Sequence, residues 1–231
     1  MINIKCFSFN PFQENSYLVW DSSGQGLIID PGCYDEGEID EIREHIALKN
    51  ISPVAILLTH GHFDHIFGVE KLSGIYKIPI YMNEEDKIIV AHNPLFAQTF
   101  GLKTPSANFD TLPVVDGDIL NFGEIEFMVI ATPGHTPGGV CYYDKNNKVL
   151  FTGDTLFAGS IGRTDFQGGD YDKLIVGIMD KIMGLDGDVD ILPGHGPSSN
   201  IGYERVHNPF LQPFNEPNDV YEDEEGDIIK T

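Results

Sequence analysis

The sequence predicts a protein of mixed α and β structure, with two β-rich halves that are each closed by helices. Three observations carry this. Short apolar runs rich in Val, Ile, Phe and Tyr recur along the chain. Between them lie stretches with apolar residues at helical spacing. Glycine sits beside several run ends, where a chain turns sharply. In order, residues 4–9, 17–20 and 27–29 alternate or cluster as strands. Residues 36–50 carry acids early and Ile39, Ile42 and Ile46 at helical spacing, which predicts an amphipathic helix. Residues 54–58 and 78–82 read as strands with a helix between them, and 84–91 as a helix. Residues 92–118, with Pro94, Pro105 and Pro113, read as irregular. Residues 124–130, 140–143 and 149–151 are the strands of the second half. Residues 170–183 form a helix with Asp170 near its start, and 189–192 a final strand.

Composition narrows the class. A chain of 231 residues buries a full core in one domain. No apolar run approaches the length of about 18 residues that a membrane span needs. The first residues lack the charged-then-apolar plan of a secretory signal. Cys6, Cys33 and Cys141 are far apart and odd in number, so a disulfide framework is not expected and a cytoplasmic location is. The 36 acids against 14 Lys and Arg give a net charge of −22, which argues against nucleic acid as a partner. Part of that acidity is local, with seven acids and one lysine from Asn215 to Thr231. We expect a domain over 1–212 and an acidic tail over 213–231.

The chemistry is concentrated at strand ends. Just after the apolar run at 54–58 comes Thr59-His60-Gly61-His62-Phe63-Asp64-His65, with four potential metal ligands. Imidazole and carboxylate together suit zinc, iron or manganese. Three later segments each set a potential ligand after an apolar run: Thr132-Pro133-Gly134-His135, Gly153-Asp154-Thr155 and Pro193-Gly194-His195. Five of the eight histidines lie in these motifs. His92 and His207 lie outside them and receive no metal role.

This ordered set resembles the metallo-β-lactamase superfamily over about residues 1–210. The resemblance implies an α+β fold, a four-layer αββα sandwich with its metals at one edge. It also implies two divalent metal ions, zinc first, with iron or manganese as alternatives. His60, His62 and His135 would hold one ion, Asp64, His65 and His195 the other, and Asp154 would bridge them. Asp64 would also orient the nucleophile. Asp30, in Asp30-Pro31-Gly32, matches a position that supports the ligand loop from behind, although a plain turn explains that tripeptide equally. Water held between two divalent cations loses a proton near neutral pH, and a carbonyl leaning on one of them is polarised. Esters, thioesters, lactams and phosphodiesters are all open to such a site.

Residues 155–166, with Gly162-Arg163-Thr164-Asp165-Phe166, resemble the glyoxalase II branch and its short bacterial members. That implies hydrolysis of a small acyl-thiol such as S-D-lactoylglutathione. Arg163 would contact the substrate carboxylate or pair with Asp165. A thiolate, with a pKa of about 8.5, departs without a strong general acid. Full-length glyoxalase II carries an additional helical C-terminal domain, whereas about 35 residues of this sequence follow His195, and residues 201–211 resemble the closing helix of the short members. There Arg205 would replace a missing basic contact or lie at the surface. Phe96, Phe100 and Phe109 would wall the pocket or pack in the core. The same arginine segment resembles the mono-iron persulfide dioxygenases, which use equivalents of His60, His135 and Asp154. Beta-lactamase activity is not expected, because zinc β-lactamases of this fold lack the bridging aspartate and are exported. A metal-binding module without catalysis is the last alternative.

Overall fold

The computed structural model describes residues 1–106, 108–212, 220–222 and 228–230. Two six-stranded sheets face each other. The first is ordered β1 (Asn3–Phe9), β2 (Glu14–Trp20), β3 (Gln25–Ile29), β4 (Ser52–Leu57), β5 (Ile80–Met82) and β6 (Leu112–Pro113). The second runs β14 (Ser199–Asn200), β13 (Asp190–Pro193), β10 (Val149–Gly153), β9 (Val140–Asp144), β8 (Ile125–Ala131) and β7 (Ile119–Phe122). Strands β3, β4, β5 and β6 pair parallel in turn, as do β10 and β13; the other neighbours within the two sheets are antiparallel.

Side chains alternate across a strand, so a strand buried on both faces feeds two cores. Tyr17, Val19, Leu27, Ile29 and Leu57 meet Phe127, Val129, Tyr142 and Phe151 between the sheets. Their neighbours Leu18, Ile28 and Ile56 turn outward onto Ile39, Ile42 and Ile46 of α1 (Glu36–Lys49) and Leu72 of α3 (Val69–Tyr76). On the far side Ile130, Cys141, Leu150 and Ile191 turn outward onto Leu174 and Ile175 of α5 (Tyr171–Gly177) and Ile201 of α6 (Ile201–His207). The result is four layers, αββα. Helix starts are marked by side-chain caps: Asp35 accepts from the N–H of Glu38, Asp170 from Lys173 and Asn200 from Tyr203. Each is worth about 1 kcal/mol.

Several expectations change. The region expected to be irregular after residue 91 begins inside a helix: α4 spans Lys87–Thr99 and carries Pro94 within it. Proline removes one helical hydrogen bond, but the packed face of Ile89, Val90, Asn93 and Ala97 holds the helix in place. The helix expected over 170–183 is α5 followed by a π-helical turn, Ile178–Ile182. The short strands β6, β7 and β14, and the hairpin of β11 (Leu156–Phe157) with β12 (Ser160–Ile161), carried too little apolar pattern to be read. Of the acidic tail, β15 (Val220–Glu222) and β16 (Ile228–Lys230) pair antiparallel; the rest lies outside the described residues. No helix among the described residues is long and apolar enough to cross a membrane.

Candidate metal centre

The strand directions bring the carboxyl ends of β3, β4, β8, β10 and β13 to one edge of the sandwich. Asp30 follows β3. His60 and His62 follow β4, and Asp64 and His65 lie on α2 (Phe63–Ile66), which starts inside the motif. His135, Asp154 and His195 follow β8, β10 and β13. Two buried tyrosines stitch these ends across the sheet interface. Tyr17 of the first sheet donates to the Pro193 carbonyl at 2.7 Å, and Tyr142 of the second donates to the Leu58 carbonyl at 2.9 Å. Gly194 is required by close approach, since a Cβ there would run into the Asp154 carboxylate and the His65 ring.

The seven expected ligands converge. His60, His62 and His135 bring ligand atoms within 4.8 Å of one another, and so do Asp64, His65 and His195. Each trio draws members from both sheets. Asp154 lies between the trios: its Oδ1 is 3.4 Å from His65 Nε2, and its Oδ2 is 3.5 Å from His135 Nε2 and 3.6 Å from His195 Nε2. The donor set fits a pair of divalent cations. His60 Nε2, His65 Nε2 and Asp154 Oδ1 are buried without a hydrogen-bond partner, which is costly unless an ion satisfies them. His62 Nδ1 and His135 Nε2 lie 2.9 Å apart, two ring nitrogens aimed at one point.

The rings are held from behind. His60 Nδ1 meets Thr59 Oγ1 at 3.0 Å, and that hydroxyl donates to Asp30 Oδ2 at 2.5 Å. His65 Nδ1 lies 3.1 Å from the same Asp30 oxygen, while Asp30 Oδ1 accepts from the Thr59 N–H. His135 Nδ1 faces the Arg163 carbonyl at 2.8 Å, and His195 Nδ1 the Phe12 carbonyl at 3.1 Å. As a network, these bonds put a proton on Nδ1 of four rings and make Nε2 the ligand nitrogen, which on a charged ring such as His65 first loses its own proton. Asp30 also forms a ligand group with His60 and His65, but its oxygens are already taken by Thr59 and His65.

A profile of the metallo-beta-lactamase superfamily matches residues 9–195. The chain belongs to the metallo-β-lactamase superfamily. It is 39% identical over 212 residues to "Hydroxyacylglutathione hydrolase GloC" of Haemophilus influenzae, covering 91% of this chain and 98% of that one. Among solved structures it is similar to the BLEG-1 B3 metallo-beta-lactamase, with a TM-score of 0.83 and 34% identity over 90% of this chain and 99% of the other. It is also similar to TTHA1623 in a di-iron-bound form, with a TM-score of 0.81 and 36% identity over 90% and 100%. These likenesses agree with the αββα sandwich.

The trios differ in charge. Burial, then repulsion from His135, lowers His62 to about 3, and burial followed by His65 lowers His60 well below the usual range. Both imidazoles are therefore neutral. Burial also pushes His65 down, yet the Asp154 and Asp64 charges together raise it well above the usual value. Burial pushes His195 down, and its bond to Asp64 together with the charges of Asp154 and Asp64 raises it. Burial is the largest influence and raises Asp64 and Asp154, but His65 and the neighbouring histidines together outweigh it and hold both low. The second trio is thus an ion-pair cluster, whereas the first contains the neutral donors His60 and His62.

Three buried polar residues at this edge escaped the sequence reading. Asp86 accepts from the Gly61 N–H at 2.8 Å, the Thr136 hydroxyl at 2.8 Å and the Gly138 N–H at 2.6 Å, clamping two ligand loops together. Asn93 donates to the Gly61 carbonyl at 2.7 Å. Glu14 lies 3.8 Å from His65 Nδ1, and burial raises it well above the usual carboxylate range. Their partners are distant in sequence, so no local motif announces them.

The donors open into a cavity of about 380 Å³ with an aromatic rim that includes Phe12, Phe96, Phe100 and Phe166. Phe109 packs instead against the core under the first helical layer. Arg163 lines the cavity, but Asp165 takes its Nε and one terminal nitrogen at 2.7 Å each, and its guanidinium stacks on Phe166 at 3.6 Å. Arg205, expected either as a basic contact or at the surface, engages backbone carbonyls. It does not line the cavity; its guanidinium donates to the Met183 and Leu185 carbonyls and ties α6 to the end of the π-helical turn.

Proposed function

We propose that the protein is a two-metal hydrolase of small acyl-thiols, with S-D-lactoylglutathione as the first substrate to test. The observation that carries this is the pair of donor trios, with one carboxylate between them, at the floor of an apolar cavity. In this reading His60, His62 and His135 hold one divalent ion, Asp64, His65 and His195 the other, and Asp154 both. Bound there, the ions would supply acidification of water and polarisation of a carbonyl. The remaining tasks fall to the chain. Asp64, whose Oδ2 is 3.3 Å from His195 Nε2, accepts a hydrogen bond from the attacking water and orients it. Asp30 keeps His65 in the ligating tautomer, and the Arg163 and Phe12 carbonyls do so for His135 and His195. The phenylalanine rim excludes bulk water and strengthens electrostatics at the floor. A thiolate needs little help to leave, which suits a cavity that, among the described residues, places no free acid beside the donors.

The negative charge opposes nucleic acid as a partner, and we place the enzyme in the cytoplasm on its three free cysteines. Zinc is the first metal to test and iron the second, given the di-iron form of TTHA1623. The deciding experiment measures metal content and thioester cleavage on one purified sample. About two ions per chain with cleavage is the expected result. One iron, with oxygen uptake on glutathione persulfide and no hydrolysis, would replace the proposal with a dioxygenase. A lactam belongs in the same assay, because the likeness to BLEG-1 runs against the expectation of no β-lactamase activity.

A further inference from the structure

Beside the main cavity lies a second one of about 200 Å³, whose lining combines Ile89, Leu95, Phe96 and Phe166 with neutral polar side chains such as Asn93 and Gln167. The two share His62, Phe96 and Phe166. The Phe96 and Phe166 rings meet edge to face at 5.0 Å and form the common wall, so the smaller space lies next to His62 of the first donor trio. Its size has a clear scale, since an apolar cavity of about 150 Å³ in another protein takes up benzene. The walls offer chiefly carbon, and desolvating a charged or strongly hydrogen-bonding group there without partners is unfavourable.

We propose that this side cavity is the acyl pocket of the hydrolase, and that the preferred acyl group is apolar and about the size of a ring, such as phenylacetyl, in place of a small hydroxyacyl group. The inference rests on the thioesterase reading and deepens it. The acyl end belongs there because a peptide-sized thiol is too large for the space and carries charges that meet no Lys, Arg, Asp or Glu among the described residues lining it. The thiol then occupies the wider main cavity. Among the described residues lining that cavity Arg163 is the one Lys or Arg, and Asp165 and Phe166 already engage it. Thiol recognition is correspondingly weak, and discrimination falls to the acyl pocket.

The test uses the metal-loaded full chain and two glutathione thioesters that differ only in the acyl group, phenylacetyl and D-lactoyl. After division by their rates with free hydroxide, kcat/KM for phenylacetyl is expected to exceed that for lactoyl by at least about tenfold. Leu95 is 69% exposed, so Leu95→Glu places a charge on the wall without burdening the core; it should cut that ratio about tenfold. Saturation-transfer NMR with benzyl alcohol reads the pocket without catalysis, and its signal should be present in the parent protein and lost in Leu95→Glu. A ratio near one, or a ratio the variant leaves unmoved, overturns the acyl pocket while leaving the hydrolase standing. If neither thioester is cleaved, the hydrolase reading fails. The NMR signal then decides alone: its loss in Leu95→Glu supports an apolar ring site, and its absence from the parent protein refutes one.

Discussion

The donor ring and the aromatic wall face the same cavity but are held by different physics. Most donors are buried, Asp154 and His195 only partly, and most of their rings are fixed from behind by a carboxylate, a hydroxyl or a backbone carbonyl. The wall is a set of phenylalanines in edge contact with one another, some of them half exposed: Phe100 touches Phe12, Phe63 and Phe96 and remains 48% accessible. Directional bonds define an atom's position, whereas ring contacts worth about 1 kcal/mol each tolerate exchange. Reaction type is therefore built into the strand ends and selectivity into α4 and the loop at 163–166. This division explains how one ligand pattern serves many substrates.

Substitutions sharpen that contrast, in order of expected size. Asp154→Ala should do most, because it touches both trios. Metal content and thioester cleavage should fall together, and the several kcal/mol that metal ions contribute to charge stabilisation correspond to a loss of roughly three decades in kcat/KM. A second ion retained at full occupancy would refute the shared role. Asp30→Asn comes next. It keeps the size but disturbs the bonds to Thr59 and His65, and a loss of about 10–100-fold in metal affinity is expected by competition with a chelator. Asp86→Asn should leave one loop donor unsatisfied and cost about 1–3 kcal/mol of stability. Urea denaturation with an unchanged m-value would register it. Phe100→Ala should do least, raising KM a few-fold with kcat and melting temperature nearly unchanged. A large fall in kcat would show the wall to be part of the catalytic machinery and erase the distinction.

The same contrast separates what was legible in the sequence from what was not. The donors were legible because each follows an apolar strand, and most stand next to a glycine, so the motif and the turn that presents it are contiguous. The layer order was legible only through resemblance, since alternation in β2 or β9 places residues on two faces without naming what covers them. Asp86 and Asn93 were not legible, because each makes sense only through a loop 25 or more residues away. Pro94 misled, because local propensity argued against a helix that tertiary packing sustains. Arg205 was open to two readings, since a cation on such a helix can serve a backbone carbonyl as readily as a ligand.

Each donor trio spans the seam between the sheets, with His60 and His62 facing His135, and Asp64 and His65 facing His195. An ion bound to either trio would act as a rivet between two slabs that otherwise adhere through apolar contact and a few hydrogen bonds. Opening the sandwich would then require releasing the rivets. Free metal at about a hundred times its dissociation constant adds roughly 2.7 kcal/mol of stability per site. A melting curve recorded with and without chelator thus becomes a loading gauge for this chain.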